Sequence, residues 1–484
     1  MNIVMIMSDS LYPQSLGSYG DGCAVTPHLD QLAAQGVQFG NVYSNCPLCT
    51  PSRASMVTGR YASELRCYDN ASAFSSEWPT VAHVLAAAGY ETSIIGKMHF
   101  VGHDQWHGFD ERLALETDYT TGHDPAKFRM AYQWDSPSQG NPMGSHWMGD
   151  SYVQSPEWDY YPHHYDRDQI THSQALHYLN NKGPGCEPFF TCISYHAPHN
   201  PFWIPEPYKE PFRDRPLPLP DIPDIAYGVM EKWVNDFHYV PENQDKLFTA
   251  ENLRWLYETY YGMVYYLDCL VGDILTCLER RGLRDNTMIV FTSDHGEMLA
   301  HRGMIQKRCF FERSVRVPLI IHHPGQSASG TVVEELASLV DIFPTLADAG
   351  GFPLADLPPG LRGQSLLPAV LGRGAMAERP VFSEYHGEGV HAPCFMVRDG
   401  SLKYMMVHGQ DAQLYDLAKD PDELHNVSGQ APYQDAEKQL QQRLLQEFDP
   451  ELVAQEALET QENRGFILRC HQRREAQQRE ASTS

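Results

Sequence analysis

No apolar run approaches the roughly eighteen residues needed to cross a bilayer, so the sequence offers no membrane-spanning segment. Low-complexity tracts are absent too, which with aromatics at 11% excludes a fibrous or disordered chain and implies a compact fold. Basic residues are scarce: 36 Lys and Arg face 62 Asp and Glu, for a formal net charge of −26. A nucleic-acid binder needs a basic face for phosphate, so that class is excluded. The eleven cysteines, an odd number, lack the regular spacing of a disulfide framework and are expected as buried thiols. The opening run Met1-Asn2-Ile3-Val4-Met5-Ile6-Met7-Ser8-Asp9 is too short and too poor in basic flank for a signal peptide. It has the pattern of a buried strand ending on a carboxylate. A cytoplasmic location is therefore expected, or a periplasmic or secreted one if a leader has been removed.

What is present fits 484 residues, 42% hydrophobic, arranged as one large α/β domain plus a smaller one, or as three small ones. The first 350 or so residues alternate short apolar runs with helical patterns, which predicts a mostly parallel sheet covered by helices on both faces. Strands are expected at Ile3 to Met7, Val37 to Tyr43, Glu91 to Ile95, Phe189 to Ser194 and Met288 to Thr292. Thr26-Pro27 offers a cap and first-turn proline for a helix ending at Gly36, and Pro79 to Gly89 gives another. From Asn252 to Arg281, apolar residues recur every three or four positions, the spacing of a core helix. The irregular stretches at about 115 to 170 and 200 to 245, with Trp134, Trp147, Trp158 and Trp203, are expected to wall a substrate pocket or to pack as buried aromatics. A Pro- and Gly-rich passage near 350 to 374 separates a catalytic domain over 1–370 from a C-terminal subdomain over 375–484. The latter is expected to hold a small antiparallel sheet with strands at Val381 to Tyr385, Cys394 to Arg398, Lys403 to Val407 and Gln413 to Leu417, then a helix over Gln434 to Phe448 and a tail.

The chemistry centres on Cys49-Thr50-Pro51-Ser52-Arg53, followed by Ala54-Ser55-Met56-Val57 and Thr58-Gly59-Arg60. A free cysteine is most often a small buried hydrophobe, and a short match alone says little. Other segments add to it. Asp9 ends the first strand, and Asp294-His295-Gly296 follows the strand that closes on Thr292-Ser293. Singly, an Asp after a strand is usually a turn or cap residue; two carboxylates and an imidazole brought to one sheet edge can hold a divalent metal, with the nucleophile as a further ligand. Lys97 and His99, two apart in Gly96-Lys97-Met98-His99-Phe100, can face one ligand.

The Cys49 run resembles the type I sulfatase signature C-x-P-S-R-x-x-x-x-T-G-R, a branch of the alkaline phosphatase superfamily. The resemblance implies that a maturation enzyme oxidises Cys49 to formylglycine. One hydroxyl of its hydrated aldehyde attacks sulfur and the other later expels sulfate, which a serine ester could not do. It also implies a metal held by Asp9, Asp294, His295 and the Cys49 side chain. Calcium is implied, with manganese or magnesium as alternatives because Ser10 stands where many sulfatases place a second aspartate. Arg53 would orient the formylglycine and neutralise charge at the metal; Lys97 would stabilise sulfate charge; His99 would take the second gem-diol proton. In Tyr195-His196-Ala197-Pro198-His199-Asn200-Pro201-Phe202, which resembles the family's P-H-x-P turn, His199 would protonate the leaving alkoxide and His196 would support the pocket. Lys307 matches the lysine that contacts the sulfate oxygens.

The likeness is greatest to the choline-sulfatase-like branch, through Gly96 to Gly102, Asp104-Gln105, His107-Gly108-Phe109, Glu111-Arg112-Leu113, Tyr68-Asp69-Asn70, and Glu384-Tyr385 with Glu388-Gly389. Leu414 to Leu417 with Asp420 to Asn426 resembles the family's structural C-terminal hallmark. Arg464 to Ser484, however, shows little of that branch's aromatic-containing tail, and a quaternary ammonium needs an aromatic cage with a carboxylate. The expected substrate is therefore a sulfated carbohydrate. Choline sulfate, a phosphonate monoester or phosphodiester, and a catalytically silent binding role are the alternatives, and a homo-oligomer is left open. At a net charge of −26, any sulfate site must be a local positive island.

Overall fold

The computed structural model describes residues 1–114, 163–222, 227–238, 248–325 and 328–483. Trp134, Trp147 and Trp158 of the expected pocket walls lie outside these residues. Eight strands form one sheet: β1 (Asn2–Ser8), β2 (Val37–Tyr43), β3 (Glu91–Gly96), β4 (Glu111–Leu113), β5 (Phe189–Ser194), β6 (Thr287–Ser293), β7 (Arg316–His322) and β8 (Thr331–Ser338). Their order is β4-β3-β5-β1-β6-β7-β2-β8, and β7 alone runs antiparallel to its neighbours β6 and β2. The expected mostly parallel sheet is present. Three of its strands, β4, β7 and β8, were not foreseen: β4 is only three residues long, and Thr331-Val332-Val333-Glu334-Glu335 of β8 exposes much of one face and lacks a clean apolar run.

Alternation along the central strands feeds two cores, as a sheet buried on both faces requires. Val4 and Ile6 of β1, with Ile289 and Phe291 of β6, join the cluster built on the helix Ala250–Arg280. Ile3, Met5 and Met7, with Met288 and Val290, join the opposite cluster, which includes residues of the helices Cys49–Thr58, Val81–Ala87 and Ile342–Ala349. The helix Ala250–Arg280 is apolar and long enough to cross a membrane, but 78% of its most apolar window is buried inside this fold, which makes it a core helix.

A separate four-stranded antiparallel sheet, in the order β12-β11-β10-β9, is formed by β9 (Val381–Tyr385), β10 (Cys394–Asp399), β11 (Leu402–Val407) and β12 (Gln413–Asp416). Its two faces also alternate: Met396 and Met405 lie in one cluster, whereas Phe395, Val397 and Tyr404 lie in the other with Leu440 and Leu444 of the helix Gln434–Glu447. The expected tail is instead continuous helix, Pro450–Thr483. Arg464 of that helix forms two charge-assisted hydrogen bonds with Asp69, at 2.5 and 2.6 Å, and Tyr68 Oη donates to Glu456 at 3.0 Å.

The parallel strands set the site. Ser8 of β1 pairs with Ser293 of β6, so Asp9 and Asp294 leave the sheet side by side; Gly96 of β3 pairs with Ser194 of β5, so Lys97 emerges beside the turn that carries His196 and His199. This is the carboxyl edge at which open α/β sheets bind ligands. Gly96 is required there: its φ is +96°, and a Cβ would lie 2.3 Å from the Ser194 carbonyl oxygen.

Candidate active site

The helix Cys49–Thr58 begins at the sheet edge, with every one of its residues buried. Pro51 is tolerated because first-turn amides have no helical acceptor. The Thr50 amide, free of any helical acceptor, is instead satisfied by Asn70 Oδ1 at 3.0 Å. Ser52 Oγ donates to the Asp294 carbonyl at 2.6 Å, which locks the helix to the end of β6. Gly59, at φ +67°, closes the helix with its amide on the Ser55 carbonyl. The Cys-x-Pro-Ser-Arg and Thr-Gly elements are thus a start, an anchor and a stop for one helix whose first residue is Cys49.

Arg53 gathers four strand ends. Its Nε donates to Asp294 Oδ2 at 2.8 Å and one Nη to Asp9 Oδ2 at 3.1 Å; the other Nη donates to the Lys97 carbonyl at 2.6 Å and Ser194 Oγ at 2.8 Å. Lys97 Nζ lies 2.6 Å from Asp9 Oδ2. All four ionic groups are buried, so the pairing offsets a desolvation cost that none could bear alone. Burial would raise the Asp9 carboxyl, but Lys97, His199, His295 and Arg53 together hold it well below its ordinary value. Asp294 goes the other way: burial raises it, reinforced by Asp9, against the pull of Arg53.

Ligand atoms of Asp9, Cys49, Asp294 and His295 all lie within 4.8 Å of one another, so the four residues expected at the metal are brought together. His295 Nδ1 sits 3.0 Å from the Gly296 carbonyl, an acceptor that fixes the proton on Nδ1 and leaves the Nε2 lone pair toward the cluster. That nitrogen is 3.2 Å from Cys49 Sγ, 3.6 Å from Asp294 Oδ2 and 3.7 Å from Asp9 Oδ1. Two carboxylates and an imidazole in one buried cluster could hold a divalent cation. Ser10 adds no carboxylate; it has φ +64°, its amide donates to Asp294 Oδ1 at 3.4 Å and its hydroxyl to Asp9 Oδ1 at 3.1 Å.

Around this cluster the potential is positive despite the acidic chain. Burial and Asp9 push the Cys49 thiol up, yet Lys307, Lys97 and His295 bring it well below its ordinary value. Lys307 follows a segment in which Leu299, Ala300, Arg302 and Gln306 all have positive φ, held by Glu297, whose Oε1 accepts from the amides of Leu299 and Gln306. Its Nζ is 2.5 Å from His199 Nε2. His199 Nδ1 donates to the Asn200 carbonyl, so Nε2 is the acceptor of the lysine proton. Burial, then Lys307, lowers His199 to about 4. His199 is therefore neutral here, with Nε2 facing the Lys307 ammonium. His99 is buried at φ +55°, its carbonyl bound by Thr50 Oγ1 at 3.3 Å beside the nucleophile helix.

The remaining expectations resolve differently. Glu384 is buried and engaged twice, with the Ser63 amide at 2.8 Å and His386 Nε2 at 2.7 Å. Glu388 is gripped by Arg308. His196 does support the turn, bonded through Nδ1 to Asp168 at 3.2 Å. Residues missed in the sequence include Asp168, His164, Arg308, Ser194 and Asn70. The first two lie at the start of a helix (His163–Asn180), where no motif distinguishes them from ordinary polar residues.

In this geometry Cys49, at a helix N-terminus, faces a set of residues that could hold a metal and several cationic side chains. The sulfatase family model matches residues 1–352, and the model for the N-sulphoglucosamine sulphohydrolase C-terminal region matches 300–449. A choline-sulfatase of Rhizobium meliloti is 35% identical over 436 residues, covering 88% of this chain and 82% of that protein. An N-acetylglucosamine-6-O-sulfatase of Bacteroides thetaiotaomicron is 28% identical, covering 92% and 85%. The crystal structure of a phosphonate monoester hydrolase of Agrobacterium radiobacter superimposes with a TM-score of 0.70 at 27% identity, covering 92% and 95%. The chain belongs to the sulfatase family, within the alkaline phosphatase-like superfamily, and is a sulfuric ester hydrolase.

Proposed function

We propose that the substrate is a sulfate monoester of a carbohydrate, cleaved by formylglycine made from Cys49 by a maturation enzyme. The observation that carries the mechanism is the position of Cys49, which opens its helix at hydrogen-bonding distance from His295 and within the Asp9–Asp294 cluster. In the thiol form, Sγ stands in for the hydroxyl oxygen of the hydrated aldehyde. That hydroxyl gives its proton to Asp294 of the same cluster as it attacks sulfur; the bond from sulfur to the sugar oxygen breaks, and the oxygen leaves as an alcohol once it takes the proton shared by Lys307 and His199. The enzyme-bound sulfate ester then loses the proton of its second hydroxyl to His99, the C–O bond to sulfate breaks, and water re-hydrates the aldehyde. Lys97 and Lys307 counter the charge on the sulfate oxygens, and Arg53 holds both carboxylates in place. A divalent cation, calcium by family likeness with manganese or magnesium as alternatives, would be held by Asp9, Asp294, His295 and the modified Cys49, and supplies Lewis-acid polarisation of sulfate.

The carbohydrate reading is supported by the occupied carboxylates: Glu384 and Glu388 are each engaged by protein groups, which leaves them poorly placed to face a quaternary ammonium. The 35% identical relative is the observation favouring choline sulfate as the second reading. A screen of purified enzyme on sulfated oligosaccharides, choline sulfate and aryl phosphonate esters, quantifying released sulfate or phosphonate, decides between them; faster turnover of choline sulfate than of every sugar sulfate rejects the first.

Two further outcomes test the machinery. Mass spectrometry of the Cys49 peptide from active enzyme will show sulfur lost and oxygen gained, and a fully active preparation carrying only cysteine would refute the mechanism. Chelation will reduce turnover to background, restored by adding back a divalent ion. Asp294→Asn will lower bound metal, measured by elemental analysis, and cost about 10²-fold or more in kcat; a metal-free wild type with full activity contradicts the assignment.

A further inference from the structure

Two histidines beside His199 have no role in the chemistry described above, and one ring hydrogen of each is placed by a partner that can only accept. Asp168, fully buried, takes the amides of His196 and Ala197 at 2.7 and 2.9 Å and lies 3.2 Å from His196 Nδ1. A carboxylate accepts, so Nδ1 bears a hydrogen. His164 Nε2 lies 2.9 Å from the Asn200 carbonyl, so there the hydrogen is on Nε2 and the lone pair on Nδ1. Neither His196 Nε2 nor His164 Nδ1 has a hydrogen-bond partner among the described residues, although both atoms are shielded from solvent. Burial pushes His164 well below an ordinary histidine, and His196, His199 and Lys97 push the same way, so it stays neutral at neutral pH.

Their placement matters as much as their tautomers. The His164 ring stacks on that of His196 at 5.0 Å and meets that of His199 edge-on at 5.5 Å, and His199 in turn meets Lys307. The two rings therefore adjoin His199, on the side from which the leaving oxygen is proposed to receive its proton. A buried acceptor without a donor is costly, and a ligand that supplies one is selected strongly over an analogue that cannot.

We propose that His164 and His196 are specificity-determining residues, a pair of imidazoles whose unpartnered ring nitrogens read hydroxyl groups of a polyhydroxylated leaving alcohol. The inference rests on the sulfatase reading and deepens it. Choline has no N–H or second O–H to offer, whereas a sugar presents several hydroxyls next to the sulfated carbon. Asp168 is then a positioning residue that holds the His196 tautomer.

The test compares wild type with His164→Phe, His164→Gln and His196→Phe on glucose 2-, 3- and 6-sulfate, choline sulfate and 4-nitrophenyl sulfate. On the best sugar sulfate each Phe variant is expected to lose about tenfold or more in kcat/KM, chiefly through KM, and at least fivefold more than it loses on the aryl sulfate. His164→Gln, which keeps an acceptor, regains part of the loss. Nitrogen-15 NMR of the imidazoles in the full-length protein is expected to place hydrogen on Nδ1 of His196 and Nε2 of His164. Equal losses on sugar and aryl substrates, a wild-type preference for choline sulfate, or the opposite tautomers would each overturn the inference while leaving the sulfatase reading standing. Absence of sulfate release by wild type from every substrate would remove both.

Discussion

Cys49→Ser is expected to abolish multiple turnover, lowering kcat on the order of 10⁵-fold, or about 7 kcal/mol of transition-state stabilisation. The reason lies in the second half of the cycle. A serine hydroxyl can attack sulfur from the same helix N-terminus, but the resulting ester has no second hydroxyl on the same carbon, so nothing collapses to expel sulfate. The variant protein is expected to gain one sulfate group, visible by intact mass, at a slow single-turnover rate, whereas Cys49→Ala gains none. Folding will be little affected: the hydroxyl can still meet His295 Nε2, and the anchors of the helix, Ser52 on the Asp294 carbonyl and Arg53 on both carboxylates, are untouched. A thermal melt within a few degrees of wild type accompanies the loss. If Cys49→Ser retained steady turnover without an aldehyde at position 49, the gem-diol mechanism would have to be abandoned.

What could be read in the sequence, and what could not, follows from how locally each feature is encoded. The sheet edge was legible because a strand ending on Asp9 and another ending before Asp294 announce themselves by apolar runs bounded by polar residues. Their pairing follows from parallel topology and brings Asp9, Cys49, Asp294 and His295 together as expected. The strands Arg316–His322 and Thr331–Ser338 were missed because one lies directly after a short helical turn and the other exposes charged residues on its outer face. Asp168 and His164 were invisible for a different reason. Their function depends on the close approach of the His163–Asn180 helix to the His196 turn, a contact between segments about 30 residues apart with no spacing rule to betray it. The engagement of Glu388 by Arg308 is similarly tertiary, since it joins residues eighty positions apart.

His199→Ala tests which proton drives leaving-group departure, and its effect is expected to depend strongly on the leaving group. A sugar alkoxide is strongly basic and must be protonated as the bond to sulfur breaks, whereas a nitrophenolate leaves almost unaided. Removing a general acid costs about 10²- to 10⁴-fold where protonation is needed, equivalent to about 3 to 5 kcal/mol; on 4-nitrophenyl sulfate the loss is expected to be far smaller. The structure adds a constraint that the motif alone did not contain. His199, lowered to about 4 by burial and by Lys307, is neutral, with Nδ1 committed to the Asn200 carbonyl and Nε2 accepting from Lys307 at 2.5 Å. Lysine and histidine thus form one proton-sharing unit, and their removals should not add. Lys307→Ala is expected to show the same leaving-group dependence, and the double variant to be little worse on the sugar sulfate than the poorer single one. Equal losses on alkyl and aryl sulfates in His199→Ala would make it a residue that only positions sulfate, and fully additive losses in the double variant would separate the two side chains into independent roles.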